Sequence, residues 1–318
     1  MSEPIMPTRI DHPHAWHAEE LSAPDWTVAL NDDVVEELLE RAPEEGTEID
    51  DAVRAACPLT SAQLGEVRQK LFDGIGFAVV RGVPVDALSE PRTRDVVWTL
   101  FSMVGRIVDQ KHTGTRIYDV RDTGEKAGYG VRRSVTNEAQ DFHTDGGWLT
   151  KPPECIGLFC RYPAWQGGES RVRSLIRAHN DLLSDAPELV ERLYRDYFWD
   201  RQAEHPAGQV KYSRQPVFYV DHGGVQCRHY RDYVINGQNL AETPLDAMGQ
   251  EALNALEARL GADDDWIDFT MSSGDFMMLN NRRIAHARTA FEATPEGERG
   301  RHLYRLWCRD EGRVEIEA

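Results

Sequence analysis

The sequence predicts a mainly β protein, a sandwich or barrel that carries helical insertions. From about residue 115, many short apolar and β-branched runs are separated by Gly, Pro and Asp at modest spacing. This spacing favours a sandwich or barrel over a parallel α/β sheet. Two helical segments, near 176–195 and 243–261, interrupt the runs. Hydrophobic residues make up 41% of the chain and charged residues 28%, which is an ordinary globular mix.

The first 70 residues precede the predicted barrel. Residues 1 to about 30 are rich in Pro, His and charge without a clear period, so we interpret them as an arm or lid. Apolar residues then recur at helical spacing in 34–39 and 64–71, which predicts two short helices. We expect residues 1–70 to pack on a core domain of residues 71–318.

The predicted core domain opens with a strand at 76–83 and a helix at 91–103. Pro187 divides the first helical insertion into two pieces, and the second insertion begins at a Thr243 cap and ends before Gly261. The remaining strands are predicted at 116–120, 154–164, 170–175, 197–201, 216–220, 224–230, 265–271, 275–279 and 302–309.

The charge balance restricts the partners. The chain has 36 Lys and Arg against 54 Asp and Glu, a net charge of −18, so its field repels nucleic acids and anionic membranes. No apolar run approaches the roughly 18 residues of a membrane span, and the first residues lack the features of a signal peptide. We therefore expect a cytoplasmic protein, with homo-oligomerisation left open. Five cysteines without CxxC spacing argue against a disulfide framework and a zinc clip.

Three residues could form a metal site. His143 and Asp145 lie two apart in QDFHTDGGW, so at a strand end their side chains point to the same face. His286 lies at the end of a later predicted strand and could supply a third ligand. Two histidines and one carboxylate form the facial triad of non-haem Fe(II) oxygenases. A lone HxD is a weak signal, because most such triplets lie in surface loops. The surrounding sequence therefore determines whether a metal site is predicted.

That context includes two arginines near the C-terminus. Arg301 and Arg305 are four residues apart, so on a strand they share a face. An Arg guanidinium matches a carboxylate in two-pronged geometry, and charge-assisted bonds of this kind contribute roughly 1.5–3 kcal/mol each. Without the upstream triad, surface charges on a terminal edge strand would be the better interpretation.

Four motifs in this order carry a family resemblance: HTD at 143–145, GGES at 167–170, NNRRIAHARTAF at 280–291 and RHLYRLW at 301–307. The sequence resembles the Fe(II)/2-oxoglutarate-dependent dioxygenases of the taurine dioxygenase (TauD/TfdA-like) family, which is related to γ-butyrobetaine hydroxylase and clavaminate synthase. The resemblance covers roughly residues 70–310. It implies a double-stranded β-helix, a cupin-like jelly-roll barrel with helical insertions.

The resemblance also implies residue roles. It makes the triad the iron ligands and Arg301 the anchor of the distal carboxylate of 2-oxoglutarate, assisted by Ser170. GGES keeps a hydroxyl at the position where the family has Thr. Arg305 would face either the co-substrate or an anionic group of the substrate. Asp145 indicates a hydroxylase, because the halogenating branch has Ala or Gly there. Asn280 and Asn281 are expected to satisfy barrel hydrogen bonds.

The implied reaction oxidises an unactivated C–H bond while 2-oxoglutarate and O₂ become succinate and CO₂. Desaturation, cyclisation or oxidative decarboxylation on the same scaffold stay open. Two further alternatives are a non-enzymatic cupin-like metal-binding sensor and a zinc hydrolase. A sensor has little use for a carboxylate anchor, and the hydrolase lacks an HExxH-like segment.

The substrate is predicted to be a small carboxylated or amino-acid-like molecule, because cationic and aromatic residues flank the iron motif. The alternative for 228–233 is an ordinary strand with solvated arginines. The candidate substrate residues are Tyr129, Arg132, Gln140, Trp148, Arg228, Tyr230 and Tyr233.

Overall fold

Helices dominate the N-terminal third and form two insertions. The computed structural model describes residues 7–126, 128, 131–221, 224–262, 265–292, 295 and 299–318. Within these residues, short 3₁₀ turns lie at Ala18–Glu20, Val85–Ala87 and Arg133–Val135. The α-helices are α1 (Ala23–Trp26), α2 (Asp32–Arg41), α3 (Asp51–Ala56), α4 (Pro58–Phe72), α5 (Glu90–Val104), α6 (Leu175–Asp185), α7 (Pro187–Leu193), α8 (Arg231–Leu240) and α9 (Ala247–Leu260).

The strands form two principal sheets and two hairpins. One sheet has the order β1-β2-β13-β6-β15-β3, with β4 also paired to β15, and the other has the order β12-β7-β14-β5. The hairpins are β8-β9 and β10-β11. The strands are β1 (Thr27–Ala29), β2 (Phe77–Arg81), β3 (Ile107–Val108), β4 (Tyr118–Val120), β5 (Gln140–His143), β6 (Cys155–Tyr162), β7 (Ser170–Ser174), β8 (Asp196–Asp200), β9 (Tyr212–Pro216), β10 (Phe218–Asp221), β11 (Gly224–Cys227), β12 (Ile267–Phe269), β13 (Phe276–Asn280), β14 (Ile284–Arg288) and β15 (His302–Cys308).

Strand alternation divides the core into two layers. On β13, Met277 and Leu279 join the core between the two sheets, whereas Phe276 and Met278 face the layer beneath α4 and α5. Val172 on β7 closes the inner core from the opposite sheet. Because successive strand residues point to opposite faces, a sheet that is covered on both sides is apolar throughout. Two sheets around one inner core confirm the predicted jelly-roll barrel.

β15 carries polar side chains into that inner core. Leu303 and Trp307 belong to the inner core, so Arg305 between them points the same way. Tyr304 and Leu306 face the helical layer instead. The strand pairs with β6 over seven positions. The pairing is in regular register from Leu303 to Cys308, so it fixes the position of Arg305 in the inner core.

Residues 7–30, the described part of the first segment, differ from the predicted arm or lid. Trp16 and Trp26 are buried against Phe77 in the main core, and β1 pairs in parallel with β2. The Trp16 indole donates a hydrogen bond to the Ile75 carbonyl. The segment therefore contributes to the barrel. The division of the chain near residue 70 stays a prediction.

The helical insertions follow the prediction with one correction. The break at Pro187 is confirmed, since α6 ends at Asp185 and α7 begins at Pro187. The second insertion starts three residues later than predicted, because Asp246 replaces Thr243 as the N-cap. The Asp246 carboxylate accepts a hydrogen bond from the Gly249 amide, so it satisfies a free helix donor. None of the described helices combines the length and the hydrophobicity of a membrane-spanning segment.

Candidate active site

Strand register places the three predicted metal ligands together. His143 ends β5 and lies directly opposite His286 on β14, and their ring centroids are 4.1 Å apart. Asp145 follows β5 by two residues, with Oδ1 3.7 Å from Nε2 of His143. One ligand atom from each of the three residues falls within 4.8 Å of the others, and all three side chains are buried. Such a cluster can hold a metal ion.

An asparagine fixes the backbone of the carboxylate ligand. The Asn281 side chain accepts a hydrogen bond from the Asp145 amide at 2.7 Å and donates to the Asp145 carbonyl at 2.9 Å. It also donates to the Pro153 carbonyl. The expectation that Asn281 satisfies barrel hydrogen bonds is confirmed, and two of those bonds hold the backbone of Asp145 in place.

The carboxylate of Asp145 is stabilised as an anion. Trp307 donates its indole N–H to Oδ2 at 2.7 Å, and Nη1 of Arg305 lies 3.2 Å from the same oxygen. Burial by itself would raise the pKa of Asp145, but Arg305 and the two imidazoles lower it to about 2. The site therefore presents a negative charge at neutral pH.

The two imidazoles suit metal binding. Nδ1 of His143 lies 2.8 Å from the Asp141 carbonyl, which leaves Nε2 to act as a ligand. Burial lowers the pKa of both His143 and His286, so both are neutral at pH 7. Nδ1 of His286 is buried without a hydrogen-bond partner among the described residues. One anionic oxygen and two neutral imidazoles are the donor set of a non-haem Fe(II) site, so the residues present fit that ion.

A cavity, here called the inner cavity, joins the triad to the predicted anchor. It is narrow, with a volume of about 40 Å³, and its walls include both histidines, Ser170 and Arg301. Nη1 of Arg301 is buried without a partner among the described residues, and burial lowers the pKa of Arg301 to about 10. A buried guanidinium N–H without a hydrogen-bond partner raises the free energy of the folded protein. A carboxylate bound in the cavity would supply that partner.

Arg305 lines the inner cavity but already has partners in the protein. Besides Asp145, it contacts Gln110, whose side-chain oxygen accepts its Nε–H at 2.8 Å. Nη2 of Arg305 is buried without a hydrogen-bond partner among the described residues, so the expected contact with a co-substrate or substrate anion stays a prediction for that atom. Its observed contact is with a predicted iron ligand.

A second cavity, here called the outer cavity, lies next to His143 on the other side of Tyr230. The Tyr230 ring lies 4.9 Å from the His143 ring and stacks on Tyr233 at 4.0 Å. The volume of this cavity is about 420 Å³, and it opens to solvent. The lining residues are Gly128, Val131, Arg132, Arg133, Asp200, Gln202, Tyr230, Asp232, Tyr233, Asn236, Asn239 and Leu240.

The structure divides the predicted substrate residues. Arg132, Tyr230 and Tyr233 line the outer cavity, and Arg132 forms a 2.6 Å ion pair with Glu204. Gln140 lies in the inner cavity instead, where its Nε2 is 2.9 Å from Nε2 of His143. Tyr129 falls outside the described residues.

Two predicted substrate residues line neither cavity. Arg228 is buried, and its Nη1 donates to the Gly147 and Leu149 carbonyls. Trp148 is buried in the main core. Both act as structural residues. The interpretation of 228–233 as a strand with solvated arginines is also wrong, because β11 ends at Cys227 and α8 begins at Arg231.

Sequence reasoning missed several residues that face the cavities, among them Arg288 and Asp200. Arg288 lines the inner cavity, and its Nη2 donates to the Thr136 carbonyl at 3.0 Å. Its position two residues after His286 on a strand was a usable signal, because such residues share a face. Asp200 lines the outer cavity and is fully buried. Its sequence neighbourhood, an ordinary apolar strand, offered no signal.

Comparisons with known proteins agree with this geometry. The chain is 28% identical over 295 residues to FR-33289 synthase of Streptomyces rubellomurinus (strain ATCC 31215), an alignment that covers 90% of this chain and 85% of that protein. A taurine hydroxylase-like protein, SAT17, of Stachybotrys chartarum (strain CBS 109288 / IBT 7711) is 31% identical over 170 residues, which cover 52% of this chain and 41% of that protein.

Solved structures with this fold include asparagine oxygenase in complex with Fe(II), 2S,3S-3-hydroxyasparagine and succinate, with a TM-score of 0.69, 20% identity, and coverage of 90% of this chain and 94% of that chain. The non-heme iron oxygenase OrfP in complex with Fe and alpha-ketoglutaric acid has a TM-score of 0.65 and 16% identity, with the same coverage of both chains. At these identities the likeness establishes the fold. The family model of the taurine catabolism dioxygenase TauD, TfdA family matches residues 37–307, so the chain belongs to that family and is an Fe(II)/2-oxoglutarate-dependent dioxygenase.

Proposed function

We propose that His143, Asp145 and His286 bind Fe(II), and that Arg301 and Ser170 bind the distal carboxylate of 2-oxoglutarate. One observation carries this proposal: the imidazoles and the unpaired Arg301 guanidinium line the same buried cavity. A dicarboxylate bound there would contact the metal site at one end and Arg301 at the other. The sensor alternative gives no reason for an unpaired guanidinium there, so we favour catalysis.

The bound iron supplies oxidation of an unactivated C–H bond with O₂ and 2-oxoglutarate. The protein residues supply orientation and charge. Arg301 fixes the distal end of the co-substrate through charge-assisted hydrogen bonds, and Ser170 adds a hydroxyl donor. Asn281 and Trp307 hold the Asp145 backbone and carboxylate respectively, so that one carboxylate oxygen faces the two imidazoles. The buried walls exclude water from this reaction.

The substrate belongs to the outer cavity in this proposal. Tyr230 separates that cavity from His143 by one aromatic ring, which brings a bound molecule close to the metal site. The lining contains both cationic and anionic side chains, which suits a small amino-acid-like zwitterion. Asparagine oxygenase and OrfP, whose bound ligands are hydroxylated amino acids, support this choice. Hydroxylation is the proposed outcome, with desaturation, cyclisation and oxidative decarboxylation as the alternatives.

As part of the same proposal, the enzyme works in the cytoplasm on a freely diffusing molecule. The net charge of −18 and five cysteines without disulfides support this location. Homo-oligomerisation stays open.

An anaerobic titration tests the cofactor assignment. Fe(II) and then 2-oxoglutarate are added to the apoprotein, and the visible absorption band of 2-oxoglutarate chelated to Fe(II) is measured. We expect the band in the wild-type protein and its loss in His143→Ala, with circular dichroism as the control for folding. Metal binding without a band would overturn the assignment of Arg301 and Ser170 to 2-oxoglutarate.

A further inference from the structure

Asp200 occupies an unusual place in the outer cavity. It ends β8, its side chain is fully buried, and it lines the cavity wall. Among the described residues, no Lys or Arg forms an ion pair with Asp200. Its hydrogen bonds come from neutral groups, namely the Gln202 amide at 2.8 Å, the Gln202 side chain at 2.5 Å and the Asn236 side chain.

The other charged groups of this wall are already paired. Arg132 is bound to Glu204 at 2.6 Å, and Arg133 lies 3.4 Å from Asp232 at the partly exposed rim. His205 is the titratable group that acts electrostatically on Asp200. Burial raises the pKa of Asp200, which is the effect of a carboxylate without a full counter-charge. The wall of the cavity therefore contains a carboxyl group that has no Lys or Arg counter-charge among the described residues, and a bound cation would favour its charged form.

The surroundings of Asp200 suit a cation. The stacked rings of Tyr230 and Tyr233 form part of the same wall, and aromatic faces attract ammonium and guanidinium groups. The Tyr233 hydroxyl is within electrostatic range of both Asp145 and Asp200. A cationic group held at Asp200 would thus keep the rest of a small molecule near the metal ligands.

The backbone next to Asp200 is built to hold this arrangement. Gln202 and Ala203 both have positive φ, 52° and 60°, which residues with a Cβ rarely adopt. This conformation lets the amide and the side chain of Gln202 both reach the carboxylate. Strain at non-glycine residues beside a cavity is typical of binding sites.

We propose that Asp200 binds a cationic group of the substrate, an ammonium or a guanidinium, and thereby selects amino acids with a free positive group. This inference rests on the proposed function, since it assumes that substrate occupies the outer cavity. It adds the recognition group and the charge that the substrate must carry.

The test measures binding to the anaerobic enzyme loaded with Fe(II) and 2-oxoglutarate, by calorimetry and by the shift of the absorption band. Two ligand pairs differ in one positive charge: L-arginine against L-citrulline, and L-asparagine against Nα-acetyl-L-asparagine. We expect the wild-type enzyme to bind the cationic member of at least one pair 10-fold or more tightly. This comparison needs no variant.

The variant Asp200→Asn then locates the effect. We expect it to reduce the charge preference at least 10-fold while the absorption band remains. Asp275→Asn is the matched control, because Asp275 is also a buried carboxylate whose pKa burial raises, yet it lines neither cavity. This control should keep the wild-type preference.

The outcomes separate the two proposals. Equal binding of charged and neutral ligands, no binding of either pair, or an unchanged preference in Asp200→Asn would overturn the role of Asp200 while the band still supports the proposed function. A missing band in the wild-type enzyme would overturn the proposed function and this inference with it.

Discussion

The inner and outer cavities lie side by side but are built differently. Paired strands supply the inner cavity with its metal ligands, and cross-strand register sets the position of His143 against His286. The outer cavity is lined by α8, the end of β8 and the loops near 131–133 and 202. Tyr230 connects the two, because its ring contacts His143 and also lines the outer cavity.

This difference explains how one fold can keep its chemistry and change its substrate. Side chains on paired strands are fixed by many backbone hydrogen bonds, so the metal site has little freedom. Loops and helix ends tolerate sequence changes at a lower structural cost. We therefore expect substitutions in the inner cavity to abolish or weaken cofactor binding, and substitutions in the outer cavity to alter selectivity or local stability.

The largest effect is expected for Asp145→Ala. It removes the anionic ligand and leaves the Arg305 guanidinium buried without its carboxylate partner, so Fe(II) binding and turnover should be lost. Asp141→Ala is the matched control. The Asp141 side chain is exposed, and only its backbone carbonyl contacts His143, which the substitution retains. Fe(II) affinity measured by anaerobic titration distinguishes the two variants, and equal damage from both would show that the triad is misassigned.

A smaller effect is expected for Arg301→Gln. The lost charge-assisted bonds contribute about 1.5–3 kcal/mol, which corresponds to roughly a 10- to 150-fold rise in the KM for 2-oxoglutarate. Fe(II) affinity should stay within a few-fold of wild type, because Arg301 contacts no metal ligand in the structure. Steady-state kinetics at varied 2-oxoglutarate measures this change.

Arg299→Gln serves as the control for Arg301→Gln. Arg299 is two residues away, and its exposed side chain pairs with Asp86 on the surface. The KM of Arg299→Gln for 2-oxoglutarate should equal that of the wild-type enzyme. An unchanged KM in Arg301→Gln would reassign the anchor to Arg305, the next arginine on the same inward face.

The inner cavity could be predicted from sequence because its residues follow local patterns. His143 and Asp145 lie at one strand end, and Arg301 and Arg305 lie on one face of a strand. His286 was assigned to the same site because the four family motifs occur in the expected order. The register that sets His286 opposite His143 could not be derived, since it depends on β14 pairing with both β5 and β7. The ion pair between Arg305 and Asp145 depends on that same packing.

The outer cavity was less predictable for physical reasons. An alternating RHYRDY segment has strand periodicity, yet tertiary packing turns it into the start of α8 and buries Arg228 against backbone carbonyls. Asp200 lies in a run that predicts an ordinary strand. The positive φ of Gln202 and Ala203 has no sequence signal, because neither is Gly, Asn or Asp.

The smallest predicted effect tests whether backbone strain is stored beside the outer cavity. Ala203 is exposed and has a φ of 60°, so Ala203→Gly relieves an unfavourable conformation without removing buried contacts. Ala207→Gly, in the same loop and also exposed, has no positive φ to relieve. Both substitutions raise the entropy of the unfolded chain by the same amount, so the difference between their free energies of unfolding measures the backbone strain. We expect Ala203→Gly to be more stable than Ala207→Gly by about 1 kcal/mol. Urea unfolding measures the free energy of unfolding of each variant. Equal stabilities would show that the loop beside Asp200 carries no strain and does not preorganise a substrate site.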